Sequence, residues 1–373
     1  MHVGVLKESA ARERRVALTP DSAARLIKAG DRVTIERGAG ASAWFDDAAY
    51  QRVGAILGDA AAAGSAEIVC KVLRPTDGEL ATIARGAVVV ALIGRGPSAA
   101  PAAFDARGVT LLALERVPRT TRAQSMDVLS SQATVAGYKA VLVGAGALSR
   151  FLPMLTTAAG SIAPAKALIL GAGVAGLQAI ATARRLGAVV TGFDVRPAAA
   201  EDVLSLGAKF LAPEAIAATA AGAGGYATEL AQDQQQRVLA AIAGAIGQTD
   251  LVISTAAIPG KPAPRLITAA MVEQMKPGSV IVDVAAETGG NCELTRPGET
   301  VEHGGVTVIG PLNLPGTVPV HASQMFSRNV LTLLEYLRKD GKLVVDPADD
   351  IIGAMRVTAE PGGAQPAGAK ESA

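Results

Sequence analysis

At 373 residues the chain is too long for one ordinary α/β core, and two domains of roughly 150 to 200 residues each are expected. Hydrophobic residues make up 50% and charged residues 18%, below the usual share of about 25%, with alanine supplying much of the apolar count; the composition is globular, neither disordered nor membrane-spanning. A formal charge of +1, from 35 basic and 34 acidic side chains, provides no field that would gather phosphate backbones, which argues against nucleic acid as a partner.

The two cysteines, Cys70 and Cys292, are far apart, without CxxC spacing or a neighbouring histidine, so reduced cytosolic thiols are expected and no metal site. The opening MHVGVLKES lacks the basic and apolar regions of a signal peptide. The longest apolar candidate, around Val238 to Ile258, is cut by Gln248, Thr249 and Asp250, well short of the roughly 18 apolar residues a membrane span requires.

In chain order, short β-branched runs alternate with Ala-rich helical stretches. His2 to Val5, Val33 to Ile35, Ile68 to Val72, Val88 to Leu92 and Val109 to Ala113 read as strands, with a helix over Ser22 to Ala29 between the first two. A long helical stretch over about Ser125 to Ala145 bridges to a second series: Ala167 to Leu170, Val189 to Phe193, Phe210 to Leu211, Leu251 to Ser254, Val280 to Val284 and Val306 to Ile309. The chain is helical again from Ser323 to Lys339 and crosses back to the first domain. The expected fold is α/β, with two Rossmann-like, doubly wound parallel-sheet domains separated by a cleft. Residues 1–131 form the first domain, completed by 320–360; residues 132–319 form the second, and 361–373, rich in Pro, Gly and Ala, a flexible tail.

Gly171, Gly173 and Gly176 form GAGVAG directly after the apolar strand ALIL and before the amphipathic stretch LQAIATARRL. That strand, turn and helix context is what a dinucleotide fingerprint requires: a tight turn, backbone approach to a pyrophosphate, and close packing of helix on strand beside free N–H groups. Asp194 closes the next strand, VVTGF, where a carboxylate accepts from ribose hydroxyls and repels a 2′-phosphate, selecting NAD(H) over NADP(H). Arg196 is the contrary signal, because arginine can hold a 2′-phosphate.

The residues around this site resemble the alanine dehydrogenase and transhydrogenase family. GVLKESAARERRVALTP, IERGAGASAWFDDAAY and IVCKVLRP are shared by both branches, whereas RTTRAQSMDVLSSQ at 119–132, FDVRPAAAEDVLSLGAKF at 193–210, GGYA at 224–227 and IPGKPAPRLIT at 258–268 are similar to the NAD(H)-binding subunit of proton-translocating transhydrogenases. The resemblance implies a chain that binds NADH and passes hydride directly to NADP+ on a partner subunit. It also implies a homodimer, a separate membrane-embedded subunit coupled to proton translocation, and a peripheral position on the cytoplasmic face of a bacterial inner membrane.

Carried over residue by residue, the resemblance assigns Arg119, Gln124, Asp127 and Ser130 to the nicotinamide end as the catalytic set. Its nucleotide-binding set adds Ser125 and Met126 in the same loop, Val174 beside the glycines, Val195 and Arg196 after Asp194, and Ala257. Gly225 and Tyr226 belong to a mobile loop, to which Gly222 and Gly224 add freedom. The chemistry suits these roles: the Gln124 amide both donates and accepts, and Arg119 can pair with Asp127 to hold the loop. The plainer alternative is a capped helix start with Ser125 or Thr121 as N-cap. For the Gly-rich stretch the plainer reading is a linker loop.

Lys71, where alanine dehydrogenases keep a substrate-binding lysine, reads as a structural relic. His303 and His321 lie in loop-like segments and read as surface or capping groups. Asp283 and Glu287 form either a second acidic site or loop caps. Two enzymatic readings follow. Hydride passed between apposed nicotinamides needs positioning, with reacting carbons about 3 to 3.5 Å apart, and no general base. An NAD-dependent alanine dehydrogenase needs a base and a carboxylate-binding cation; Lys71 and Arg15 supply cations, but VVVALIGRGPSAAP contains no histidine. A nucleotide sensor without chemistry is the third possibility.

Overall fold

A computed structural model describes residues 1–94, 102–211, 232–258 and 261–358; the tail expected at 361–373 lies outside the described residues. The chain divides into two compact units, residues 1–132 with 315–373 and residues 133–314.

In the first unit, strands β1 (His2–Val5), β2 (Arg32–Glu36), β3 (Ile56–Gly58), β4 (Ile68–Leu73), β5 (Val88–Leu92) and β6 (Thr110–Ala113) form a six-stranded sheet in the order β3-β2-β1-β4-β5-β6. All five pairings are parallel. The crossovers carry helices α1 (Pro20–Lys28), α2 (Asp47–Arg52), α3 (Ala60–Gly64), α4 (Asp77–Thr82) and α5 (Ala102–Asp105). Helices on both faces explain why β4 and β5 read as continuous apolar runs and are buried almost throughout. Helix starts follow local chemistry: Pro20 opens α1, and Thr76 with Glu79 forms a capping box on α4.

Helix α6 (Val128–Ala147) begins in the first unit and ends in the second. It starts at Val128 rather than Ser125 because Gln124–Met126 forms a 3-10 turn and Asp127 is extended (φ −74°, ψ 93°). In the second unit, a small hairpin of β7 (Leu155–Thr157) and β8 (Gly160–Ile162) precedes a seven-stranded sheet. Its strands are β9 (Lys166–Leu170), β10 (Val189–Phe193), β11 (Lys209–Phe210), β12 (Leu251–Ser254), β13 (Val280–Asp283), β14 (Thr300–His303) and β15 (Val306–Ile309), in the order β11-β10-β9-β12-β13-β15-β14. Helices α7 (Val174–Arg185), α8 (Ala199–Ser205), α9 (Gln232–Ile246) and α10 (Ala269–Glu273) connect them. The chain then returns to the first unit through α11 (Pro319–Leu337), a short pair β16 (Arg338–Lys339) and β17 (Lys342–Leu343), and α12 (Asp350–Met355).

The α/β class with parallel sheets in two domains is as expected, and the differences are local. β3 is a three-residue edge strand too short for a periodic signal. β14 pairs antiparallel with β15 through Gly304 (φ 58°) and Gly305 (φ 79°), a two-residue turn with both φ positive. His303 is therefore a strand residue, its Nε2 3.3 Å from Glu273 Oε1, and His321 stands exposed on the first turn of α11 rather than in a loop. Among the described residues no helix is long and apolar enough to cross a membrane.

Candidate nucleotide site

In the second unit the strand order reverses at β9, which pairs with β10 on one side and β12 on the other. Ligands of open parallel sheets bind beyond the strand ends at such a point, and GAGVAG follows β9 there. Each glycine has its own reason. Gly171 has φ 93°, and a Cβ there would come within 2.8 Å of Thr255 Oγ1. At Gly176 a Cβ would fall 1.7 Å from the Gly171 carbonyl oxygen, so only glycine lets α7 pack on the turn. Gly173 differs: its φ is −79°, and a Cβ would meet no atom within 4 Å.

Neither backbone conformation nor internal packing demands a glycine at 173. What the missing side chain preserves is open space at the start of a twelve-residue helix whose N-cap makes no side-chain hydrogen bond. An uncapped N-terminus with an unobstructed face suits a pyrophosphate, drawn by backbone N–H groups and the helix dipole. Val174, the first residue of α7, is 42% exposed beside it.

Asp194 lies just past the end of β10. Its Oδ2 accepts from the Ala172 amide at 2.7 Å, and its Oδ1 accepts from the Arg196 amide at 2.9 Å. The Arg196 guanidinium forks across the same carboxylate, Nε to Oδ1 and Nη2 to Oδ2, both at 2.9 Å. Nη2 also donates to the Ala172 carbonyl at 3.3 Å. One carboxylate thus ties the glycine turn to the residue that sequence reading set against it. The hydrogen bond and charge of Asp194 hold the guanidinium pKa above its ordinary value, against burial.

Thr255, directly after β12, was not anticipated. Its hydroxyl donates to the carbonyls of Leu170 (3.2 Å) and Gly171 (3.1 Å), and its amide to Leu170 at 2.7 Å, bracing the turn from the other side of the reversal point. The only sequence signal for it was its place at the end of the strand that pairs with β9. Ala257 lies exposed two residues further, and Val195 is half-buried between Asp194 and Arg196. Gly222, Gly224, Gly225 and Tyr226 lie outside the described residues.

The loop carrying the other assigned residues belongs to the first unit. Arg119, Gln124 and Ser125 are exposed. Met126 is 2% exposed and packs in the core with Ala123, Val128 and Phe326, so its side chain anchors the loop rather than lining a ligand surface. The Ser125 carbonyl accepts from Asn329 Nδ2 of α11 at 2.8 Å, a second anchor. Asp127 accepts from the Ser130 amide at 3.0 Å and the Ser130 hydroxyl at 2.6 Å, the geometry of an N-cap for α6. A helix cap is indeed present, but Asp127 supplies it rather than Ser125 or Thr121.

The cations that an amino-acid dehydrogenase would use are engaged within the first unit. Lys71 sits where the register of β4 on β5 shifts between Cys70 and Leu73. Its buried ammonium donates to Glu79 Oε1 (2.5 Å) and the Lys7 carbonyl (3.2 Å) and forms a longer ion pair with Glu8 Oε2 at 3.8 Å. Arg15 forks onto Glu13 at 2.8 and 2.6 Å, donates to Gln132 Oε1 at 2.8 Å, and lies 5.9 Å from the Phe326 ring centre.

Burial pushes the Glu8 carboxyl up to about 7, outweighing Lys71 and the amides of Val72 and Leu73. Glu79 goes the other way: burial raises it, but the Lys71 and Thr76 hydrogen bonds together bring it below its usual value. In the second unit Asp283 is fully buried and accepts from the amides of Ala285 and Cys292 and from the Thr295 hydroxyl. Glu287 accepts from the Asn313 amide at 2.7 Å. Both are loop caps.

Residues 4–136 match the alanine dehydrogenase/PNT N-terminal domain, and residues 140–362 match the C-terminal domain of the same name. The chain belongs to the alanine dehydrogenase/PNT family. It is 45% identical over 370 residues to the first of the chains that make up NAD(P) transhydrogenase subunit alpha in Rhodospirillum rubrum, covering 96% of each chain. Among solved structures, a transhydrogenase from Sinorhizobium meliloti superposes with a TM-score of 0.86 at 44% identity, covering 96% of this chain and 98% of that one. An L-alanine dehydrogenase gives 0.79 at 30% identity, covering 97% of this chain and 96% of that one. The two family domains correspond to the two sheets, and GAGVAG lies in the C-terminal one.

Proposed function

We propose that this chain is the NAD(H)-binding subunit of a proton-translocating transhydrogenase, acting as an oxidoreductase only with its partners. The observation that carries the reading is the α7 N-terminus: uncapped, open above Gly173, and flanked by Asp194 at the end of β10. Bound NADH supplies a hydride at its nicotinamide, and NADP+ on the partner subunit accepts it. The amides at the start of α7 hold the pyrophosphate, and Asp194 takes the adenosine ribose hydroxyls while rejecting a 2′-phosphate. Arg119, Gln124, Asp127 and Ser130 position the nicotinamide end, with Val195 and Ala257 lining the nucleotide. No side chain gives or takes a proton in the transfer itself.

The alanine dehydrogenase reading is weaker, because the Lys71 and Arg15 donors already face Glu79, Glu8 and Glu13. A substrate carboxylate would have to displace a buried ion pair. Greater identity to the transhydrogenase relative, 45% against 30% for the alanine dehydrogenase structure, supports the same choice.

The chain sits on the cytoplasmic face of a bacterial inner membrane through its membrane-embedded partner, and it is a homodimer. The segment that leads into and forms the β7–β8 hairpin supports the dimer: Phe151 (55% exposed) and Met154 (66%) before it and Ile162 (49%) in β8 present apolar surface. Light scattering at micromolar concentration should give twice the chain mass; a monomer would count against it. The deciding experiment mixes purified protein with an NADP(H)-binding partner domain and follows hydride transfer from NADH. Transfer that needs both proteins supports the reading, and turnover of alanine by this chain alone defeats it.

A further inference from the structure

A carboxylate offers about four lone-pair directions to donors. At Asp194 they are all taken: by the Ala172 amide, the Arg196 amide, and Nε and Nη2 of the Arg196 guanidinium. The first two donors are backbone and define the turn. The last two belong to a side chain that is 21% exposed and covers a carboxylate only 7% exposed.

A ribose diol also brings two O–H donors. Resting on the nucleotide-site reading above, we propose that the Arg196 guanidinium is a built-in competitor for the diol-binding oxygens of Asp194, and that it must leave them for adenosine nucleotide to bind. The guanidinium occupies the two acceptor positions that a ribose diol would use. It satisfies a buried charge that would otherwise stand with half its acceptors unfilled. It also answers the specificity question raised by having Asp194 and Arg196 two residues apart: the arginine is held on the acid, so its charge is neutralised where a 2′-phosphate would need it. On this proposal Arg196 lowers the affinity of the site through its hold on Asp194, a role different from the nucleotide-binding one that the resemblance assigns to it.

Titration of NADH, followed by its own fluorescence, and of ADP and 2′,3′-dideoxy-ADP, followed by calorimetry, tests this on the full chain. Arg196→Met keeps the apolar stem and removes the fork. It should bind NADH and ADP about fivefold more tightly, the scale of a partly exposed ion pair no longer in competition. Dideoxy-ADP, which does not compete for the carboxylate, should show no gain. Arg196→Lys, which keeps the charge but cannot fork, should fall between wild type and Arg196→Met. Weaker NADH binding by Arg196→Met, or an equal gain for dideoxy-ADP, would overturn the proposal by making Arg196 a ligand-holding or merely structural group. If wild-type protein binds neither NADH nor ADP, the nucleotide-site reading itself fails, and this inference with it.

Discussion

Asp127 holds Ser130 twice, once through its backbone amide at 3.0 Å and once through its hydroxyl at 2.6 Å. One carboxylate therefore both starts α6 and fixes the end of the RAQSMD loop. Asp127→Ala should lower stability in urea denaturation by about 1 kcal/mol, the usual cost of a lost N-cap, while Asp127→Asn, which can still cap, should recover most of it. Equal losses in both would mean that charge rather than capping is what matters there.

Gln124 is exposed at the start of the 3-10 turn, with Met126 and Ser125 anchoring the turn beneath it. Withdrawing its amide by one methylene in Gln124→Asn should leave NADH affinity nearly unchanged, because pyrophosphate and adenosine contacts dominate binding. Hydride transfer to a partner domain should fall about a hundredfold, the scale of a 1 Å misplacement. Parallel losses of affinity and rate would show uniform binding instead, and no loss at all would remove the loop from the chemistry.

Preference for NADH over NADPH should rest on the charge of Asp194. Asp194→Asn removes that charge while keeping an acceptor for the Ala172 amide. The NADH-to-NADPH affinity ratio should narrow by about tenfold, since a hydrogen bond to a charged group is worth about 1.5 kcal/mol or more. An unchanged ratio would place the discrimination elsewhere.

Glu8 makes stability depend on pH. Its folded-state pKa, about 7, lies above its ordinary value of 4.5, chiefly through burial. The protonated form is favoured by folding, so this contribution is fully present below about 4.5 and is lost as pH rises through about 7. Glu8→Gln should abolish a stability difference between pH 5 and pH 8 on the order of 2 to 3 kcal/mol, read by urea denaturation at both pH values. Identical pH profiles for wild type and variant would sink the assignment.

With Lys71 and Arg15 engaged and no histidine between Val88 and Pro101, alanine should not support NAD+ reduction by this chain above a no-enzyme blank. Measurable turnover would reverse the choice of branch.

Sequence alone determined most of the strands of both sheets, the GAGVAG turn and Asp194. Each is written in a short window, as an apolar run of strand length or a glycine spacing whose meaning depends only on its immediate neighbours. β3 and β14 escaped because one is three residues long and the other is a half-exposed edge, neither of which leaves a periodic signal, although HGGV carried the turn between β14 and β15. The tertiary structure decided what these residues do to one another. Thr255 reaches the glycine turn across 84 residues of chain, and Gln132 reaches Arg15 across 117. Lys71 meets Glu8 and the Lys7 carbonyl only because β1 and β4 are neighbours in the sheet. Even Arg196, two residues from Asp194, could have pointed toward a 2′-phosphate or toward the acid. Spacing permits both, and the donors and acceptors brought together at the end of β10 select the second, because a buried carboxylate must be paired.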